Sequence, residues 1–486
     1  MSRKRALVVG AGPAGLAAGV RLLEGSKGAV DVKLVHMGHH VGGKAASYTD
    51  AGGRRTEHGW HMVLGFYDRM FALMRSAGID ESRALSTMGG NAHPYEPWSG
   101  RVHALSGSGG ALAFAARFAG YDGLPLGDRI HYSRFMSETF ALALSGEDLT
   151  RHDDVCFSTW AIEHGLPPHI VSYSLFRMFR DLYFNFPEQV SAYHVLQTMK
   201  LTSSSQASEA FVCRGGWSEL VWEPIAKHLL ALGGSIEPYT MATDWIYDGR
   251  RVTGVRVARP DGAGHAFGET SWTTPRLPVE AGTERTLDDF DVVVSAIPHA
   301  VFVTMNAGDS RMWASSYFSR LRNLRSAATV SMRVTTKQPV LPFRGPVFGL
   351  PAPLGIAVNM TDHLLEKPDQ GSVVAFVGQE SGFEAWSDEQ IASFTIDNLS
   401  RVPRVGSLRD AGIVDLELHR NRSDFERILL CEPGVQQFRP GARTPFANLF
   451  VAGDWVQNEV DVICMEGAIA SGHAAADEAL AALGGA

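Results

Sequence analysis

The stretch "TEHGWHMVLGFY", residues 56–67, places Glu57, His58 and His61 within five positions. Oxygen and nitrogen donors at that density suit a metal cluster, an acid/base pair, or contact with a bound cofactor. A metal centre needs further ligands at workable spacing, and neither an H-E-x-x-H helix nor a Cys partner accompanies the run. Gly59 between the histidines also weakens any helix that would put His58 and His61 on one face. What the segment faces is decided by its neighbours.

Three glycine-bearing pieces carry further chemistry. Gly10, Gly12 and Gly15 form G-x-G-x-x-G around Pro13 and Ala14, between the apolar run "RALVVG" and the helix-periodic "PAGLAAGVRLLEG". In that context the first glycine permits a tight turn and the second lets backbone approach a pyrophosphate. The third lets helix and strand pack closely, with the helix N-terminus turned to the phosphates. An acidic residue is expected about 20 residues on to hold ribose hydroxyls. That slot holds His36, and Asp31 lies at the wrong end of the strand. A neutral imidazole makes one hydrogen bond where a carboxylate clamps two hydroxyls.

The second piece, "HHVGGKAASY" (39–48), offers Gly42 and Gly43 followed by Lys44. Two glycines and a cation suit a backbone passing close to a phosphate or ribityl chain; a surface turn is the plain alternative. The third, residues 449–476, puts Gly453 and Asp454 in a turn after a strand, with Asp454 placed to take hydroxyls of a sugar-like chain. It then opens a helix at Met465, Glu466 and Gly467, whose free N–H groups suit the negative edge of a reduced flavin. Small residues from Gly467 to Gly472 allow close packing there.

The elements that must position these residues follow from periodicity. "VDVKLVHM" (30–37) reads as a second strand, so the chain opens β-α-β with a parallel pair. Strand-like runs return at 252–257, 291–298, 327–336 and 372–378, and the Pro, Gly and Thr-rich stretch 259–290 reads as an excursion between strands. Helices broken by Gly and Pro fill the middle. Strands of one nucleotide-binding domain at both chain ends imply that this middle is inserted into it. The expected division is a discontinuous cofactor domain of 1–90, 208–300 and 425–486, with 91–207 and 301–424 forming the substrate domain.

Composition excludes some partners. The 486 residues carry a formal charge of −8 and 45% hydrophobic residues, an ordinary globular balance for two or more domains. Mild acidity without a run of Lys or Arg argues against nucleic acid and against attraction to anionic lipid. Cys156, Cys213, Cys431 and Cys464 lie far apart, which fits a reducing compartment better than a disulfide framework or zinc knuckle. No stretch of about 18 apolar residues spans a membrane, and the basic, briefly apolar N-terminus reads as the first strand instead of a signal peptide. The expected setting is cytoplasmic, with peripheral attachment to a membrane surface left open.

Together the three pieces resemble the flavin-containing amine oxidase and carotenoid desaturase superfamily, sharpening toward plant-type and cyanobacterial phytoene and zeta-carotene desaturases. "VGGKAASYTDAGGRRTEHGWHMVLGFYDRMFALMRSAG" is similar to their GGK segment followed by E-x-G-x-H-x-x-x-G-x-Y. "GGWSELVWEPIAKHLLALGGSI", "CEPGVQQFRPGARTPFANLFVAGDW" and "MEGAIASG" follow in the family's order. The resemblance implies an α/β protein: a Rossmann-type, glutathione-reductase-like FAD-binding domain with an inserted α+β, largely helical, substrate domain. It implies non-covalent FAD, its isoalloxazine at the floor of an apolar tunnel. The implied reaction is desaturation of a long polyene or isoprenoid, such as a carotene precursor, by hydride transfer to flavin N5.

Carried over residue by residue, Gly10, Gly12 and Gly15 go to the pyrophosphate, and Gly42, Gly43 and Lys44 to the phosphate and ribityl side. Asp454 and Met465 go to the ribityl and isoalloxazine. Glu57 and His61 become flavin-side candidates for the catalytic site, and His58 falls on a variable position. His36 replaces the family's Glu, and Gly38 its usual Arg. No general base is assigned, and either a quinone or dioxygen serves as electron acceptor.

Two other functions share the fold. An amine oxidase of the superfamily commonly carries a Tyr immediately before "MEG", where this chain has Cys464; a redox-neutral carotenoid or polyene isomerase would use reduced flavin. A carrier of a lipophilic ligand that keeps FAD structurally is the non-catalytic alternative. Tyr173, Phe176, Phe179 or Arg180, and Tyr183 follow helical spacing, with Phe184 and Phe186 beyond. Such a stripe packs a core more often than it lines a pocket.

Overall fold

Lys4–Val9 and Val30–Val35 are short apolar runs that pair in parallel on either side of the helix Pro13–Ser26. The computed structural model describes residues 3–49, 55–57, 59–89, 91–105, 121–173, 176, 177, 180, 185–204, 206–261, 279–305, 308–366 and 371–484. His58, Phe179, Tyr183, Phe184 and most of the predicted excursion, residues 262–278, lie outside them.

The first two strands belong to a five-stranded parallel sheet. Its order is Ser235–Glu237, Val30–Val35, Lys4–Val9, Val292–Ser295 and Leu449–Val451. Side chains alternate across it. Ala6, Val8, Leu34, Val292 and Val294 pack on the helices Pro13–Ser26, Glu223–Ala231 and Met465–Gly484. Leu7, Val9, Val35 and Val293 pack with Trp245, Val255 and Val257 of the antiparallel sheet Met241–Asp248, Arg251–Ala258, Arg285–Leu287. Cover on both faces is why these strands read as nearly unbroken apolar runs. The final helix lies directly on the first: a Cβ at Gly472 would come within 2.3 Å of the Ala14 carbonyl oxygen.

A second, mixed sheet has seven strands, ordered Ile413–Asn421, Thr329–Thr336, Val373–Gln379, Ile356–Asn359, Val347–Phe348, His93–Glu96 and Arg101–Val102. The helix Asp388–Leu399, opened by a Ser387/Gln390 capping box, covers one face through Ile391, Ile396 and Leu399 against Val330, Val334 and Phe376. The helices Leu126–Ala143, Phe157–Glu163 and Ala192–Leu201 form a separate layer around Tyr132, Phe135, Phe157 and Trp160. Phe176 of the aromatic stripe is fully buried in that core, stacked on Phe157 at 5.1 Å. Tyr173 meets Trp98, and Arg180 donates to the Leu350 carbonyl at 3.3 Å. The described part of the stripe is therefore packing.

Candidate functional site

The carboxyl ends of the parallel strands open onto one crevice of about 330 Å³, the position where open α/β sheets take their ligands. Gly10, Gly12, Pro13 and Ala14 line it after the first strand, His36 after the second, and Gly453 and Asp454 after the last. Gly43, Lys44, His61 and Met465 complete the predicted residues that converge there. The turn Ala296–Pro298 and the residue Thr240 line it as well. Sequence reasoning passed over both, although each follows a strand of the same sheet and the carboxyl-end rule points to them.

Two glycines of the first turn have different reasons to be glycine. Gly10 sits at φ +111°, and a Cβ there would stand 2.6 Å from the Ala296 carbonyl oxygen. At Gly12 the nearest atom to a Cβ would be the Gly43 Cα at 3.8 Å. The protein leaves that space open, and a side chain would fill the crevice. Gly12 also N-caps the first helix without any side-chain cap, and no acidic residue occupies the first turn. Uncapped N–H groups facing the crevice favour an anion such as a pyrophosphate. These features fit a dinucleotide cofactor.

Charge inside the crevice is sparse. Lys44 and Asp454 face each other with Nζ–Oδ2 at 3.9 Å. Burial, assisted by His39, lowers His36 from 6.5 to about 4. Behind the wall, at the start of the helix His299–Met305, burial also lowers His299 to about 4, with Lys44 contributing. Both rings are neutral at physiological pH. The His36 backbone is fixed by its N–H to the Glu237 carbonyl at 3.1 Å and by the Thr240 N–H to its own carbonyl at 2.8 Å. Cys464 lines the crevice too, and burial pushes its thiol up to about 12.

A buried arginine that the sequence reading missed holds the Asp454 loop. Arg439 donates to the Asp454, Trp455 and Val456 carbonyls at 3.1, 3.3 and 3.0 Å and to Asp461 Oδ1 at 2.6 Å. The Tyr193 hydroxyl, from the helical layer, donates to the other Asp461 oxygen at 2.6 Å. Nothing in the run "CEPGVQQFRPGARTPFAN" sets Arg439 apart from Arg443 by sequence.

Five candidates lie outside the crevice wall. Gly15, Gly42 and Gly467 serve packing: Cβ atoms there would meet the Gly10 carbonyl, the Trp222 ring and the Val462 carbonyl at 1.9, 2.4 and 2.4 Å. Glu466, fully buried, turns toward the helix Asp68–Ser76 and accepts the Arg69 and Met70 N–H groups at 2.9 and 3.0 Å. Glu57 faces a second cavity of about 510 Å³, which shares His61 with the crevice.

That second cavity differs from the apolar tunnel the resemblance implies. Trp60, Trp217, Leu220, Met360 and Leu364 give it apolar walls, while Arg214, Ser331, Arg333, Glu417 and His419 give it polar ones. Among the described residues no three His, Cys, Asp or Glu side chains converge as metal ligands, and no helix is long and apolar enough to cross a membrane.

A parallel sheet whose strand ends converge on a glycine turn, a lysine and a buried helix start is the framework of flavin-dependent oxidoreductases, and this chain is one. The chain belongs to the flavin containing amine oxidoreductase family, whose sequence pattern matches residues 13–480. It is 25% identical to a probable zeta-carotene desaturase of Synechococcus elongatus, over 98% of this chain and 99% of that protein. To the 15-cis-phytoene desaturase of the same organism it is 22% identical, over 98% and 96%. Its fold is similar to a putrescine oxidase bound to putrescine, with a TM-score of 0.70 and 16% identity over 99% of both chains.

Proposed function

We propose that the crevice holds FAD non-covalently and that the enzyme desaturates a long polyene or isoprenoid chain, such as a carotene precursor, in the adjoining cavity. The observation that carries this reading is His61, the side chain common to the crevice and the cavity. The relatives named for zeta-carotene and phytoene supply the substrate class. In this reading 1–90, 208–300 and 425–486 form the cofactor domain, and 91–207 with 301–424 the substrate domain.

The glycine turn Gly10–Gly15 and the N-terminus of the first helix receive the pyrophosphate, and Lys44 offsets its charge. His36, neutral, offers one hydrogen bond to the adenosine ribose. Asp454 accepts from ribityl hydroxyls, and the helix start at Met465 faces the ring system. When bound, the flavin supplies a two-electron acceptor that takes hydride from an allylic C–H at N5. A proton leaves the adjoining carbon and a C=C bond forms, the developing positive charge being spread along the polyene. The terminal electron acceptor would be a quinone or dioxygen, and a quinone would bring the enzyme to a membrane surface. Trp60, Trp217 and Met360 seat the chain and exclude water beside His61.

Anaerobic mixing of the flavin-loaded protein with polyenes and with simple amines tests this. Loss of the visible flavin band with polyenes is expected; loss with amines alone would overturn it. His61→Ala should lower turnover, and unchanged FAD content together with unchanged turnover would remove His61 from the site.

A further inference from the structure

The cavity beside the crevice is walled by a sheet face that a pure hydrocarbon does not need. Along Thr329–Thr336, Val330 and Val334 point to the core beneath Asp388–Leu399, and Ser331 and Arg333 line the cavity. Along Ile413–Asn421, Leu416 and Leu418 face that core, and Glu417 and His419 line the cavity. Ser331, Glu417 and His419 have partners within the protein, His419 meeting the Thr56 hydroxyl at 2.7 Å; a hydrocarbon would give the Arg333 guanidinium nothing in return for the water it displaces, and a charge desolvated without a partner is costly.

The acidic groups of the cavity are already engaged. Glu57, Glu219 and Glu417 each have a partner, Glu219 accepting the Ser47 hydroxyl at 2.8 Å. Glu366 and Arg83 are exposed at its rim. Arg214 and Arg333 differ. Arg214 donates to the Ser82 carbonyl at 3.2 Å, while its buried Nε has no acceptor among the described residues. Arg333 lies opposite Glu417 in the strand register, yet no carboxylate among the described residues pairs with it. A planar guanidinium fork matches carboxylate and phosphate alike; beside Glu57, Glu219 and Glu417, a singly charged carboxylate meets less repulsion than a phosphate.

We propose that the chain oxidised by this enzyme ends in a carboxylate, held by Arg214 and Arg333, while its apolar part runs along Trp60 and Trp217 toward His61. This rests on the desaturase reading and narrows it: the substrate is a polyene or isoprenoid acid, unlike the hydrocarbons for which the two cyanobacterial relatives are named. Trp60 and Trp217 provide the apolar wall, and the two arginines anchor the chain end and so fix which bond reaches the flavin side.

The test titrates the flavin-loaded protein with retinoic acid and with its methyl ester, reading quenching of tryptophan fluorescence. The acid should bind on the order of tenfold more tightly than the ester, the worth of one charged hydrogen-bonded pair. Arg333→Gln and Arg214→Gln should each reduce that preference and leave ester affinity unchanged. Equal binding of acid and ester, or a preference that survives both substitutions in folded protein, would overturn the proposal. If a variant loses its fold by circular dichroism, the acid-to-ester ratio of the unaltered protein decides alone. Phytoene separates the two readings: anaerobic flavin bleaching by phytoene without any preference for the acid leaves the desaturase standing and removes the carboxylate anchor. A clear acid preference with no bleaching by any polyene supports the anchor and removes the desaturase.

Discussion

The crevice takes its shape from backbone, whereas the cavity next to it takes its character from side chains. In the crevice Gly10 turns the chain beneath the Ala296 carbonyl, an uncapped helix start faces inward, and His36 on the wall is neutral. In the cavity, alternate positions of two antiparallel strands present Ser331, Arg333, Glu417 and His419. A backbone-built site can hold the same cofactor while surface residues drift. A side-chain-built site can change its ligand with one or two substitutions, so the two halves can diverge at different rates, and a chain of 25% identity can keep one and alter the other.

The sharpest way to break this contrast is to place side chains on the two glycines. Gly10→Val combines a positive φ with a clash against backbone, and should destabilise the folded protein by about 3 kcal/mol or more. At Gly12 an added Cβ meets no protein atom closer than 3.8 Å, so the Gly12→Val apoprotein should melt within a few degrees of the parent, with the FAD-binding constant falling at least about tenfold. Flavin absorbance per mole and thermal melting of the apoprotein check both. Equal destabilisation by the two would mean that Gly12 also serves the fold.

The same contrast explains what could be read from the chain beforehand. The β-α-β opening, the glycine turn and the late helix at Met465 are local, each complete within a few tens of residues, so periodicity and turn chemistry expose them. The cavity draws on Arg333 and His419, brought together by strand pairing in the mixed sheet, and on Trp60 and Arg214, which lie beside the paired strands Met62–Leu64 and Ala210–Cys213 of a separate sheet. Arg439 was hidden for a similar reason: its three carbonyl acceptors lie 15 to 17 residues on, but its anchor reaches Tyr193 through Asp461. His36 was found by spacing alone, since the slot is defined by its distance from the glycine turn.

A smaller effect is read by acid titration of His36 in the crevice wall and of His299 behind it. His36 and His299 carry ordinary values of 6.5 lowered to about 4 by burial. A histidine lowered in this way contributes stability above pH 6.5, and the contribution is lost as pH falls toward 4, because the unfolded chain takes up the proton first. Each ring is worth up to a few kcal/mol across that window. His36→Asn and His299→Asn should therefore flatten the fall in urea midpoint between those pH values in the apoprotein. The remaining fall is expected from other histidines that burial pushes down, among them His194 in the helical layer and His473 of the final helix. An unaltered acid limb in both variants would place the sensitivity at groups other than these two rings.

The smallest expected effect concerns a residue that sequence spacing assigned to the cofactor and geometry assigns to a helix. Glu466 caps Asp68–Ser76 through the Arg69 and Met70 N–H groups, and Arg69 also pairs with Glu459. Glu466→Ala leaves those two donors bare and should cost about 1–2 kcal/mol, with FAD content unchanged. Burial holds the Glu466 carboxyl above its ordinary range, although its bonds to Arg69 and Met70 pull the other way. With the folded value raised, the carboxyl's contribution is complete below its ordinary range and declines as pH rises through the folded value. The penalty of Glu466→Ala, read from urea midpoints, should accordingly be larger in mild acid than in alkali. A variant that unfolds no more easily but loses FAD would return Glu466 to the crevice and blur the line between a backbone-built site and its side-chain supports.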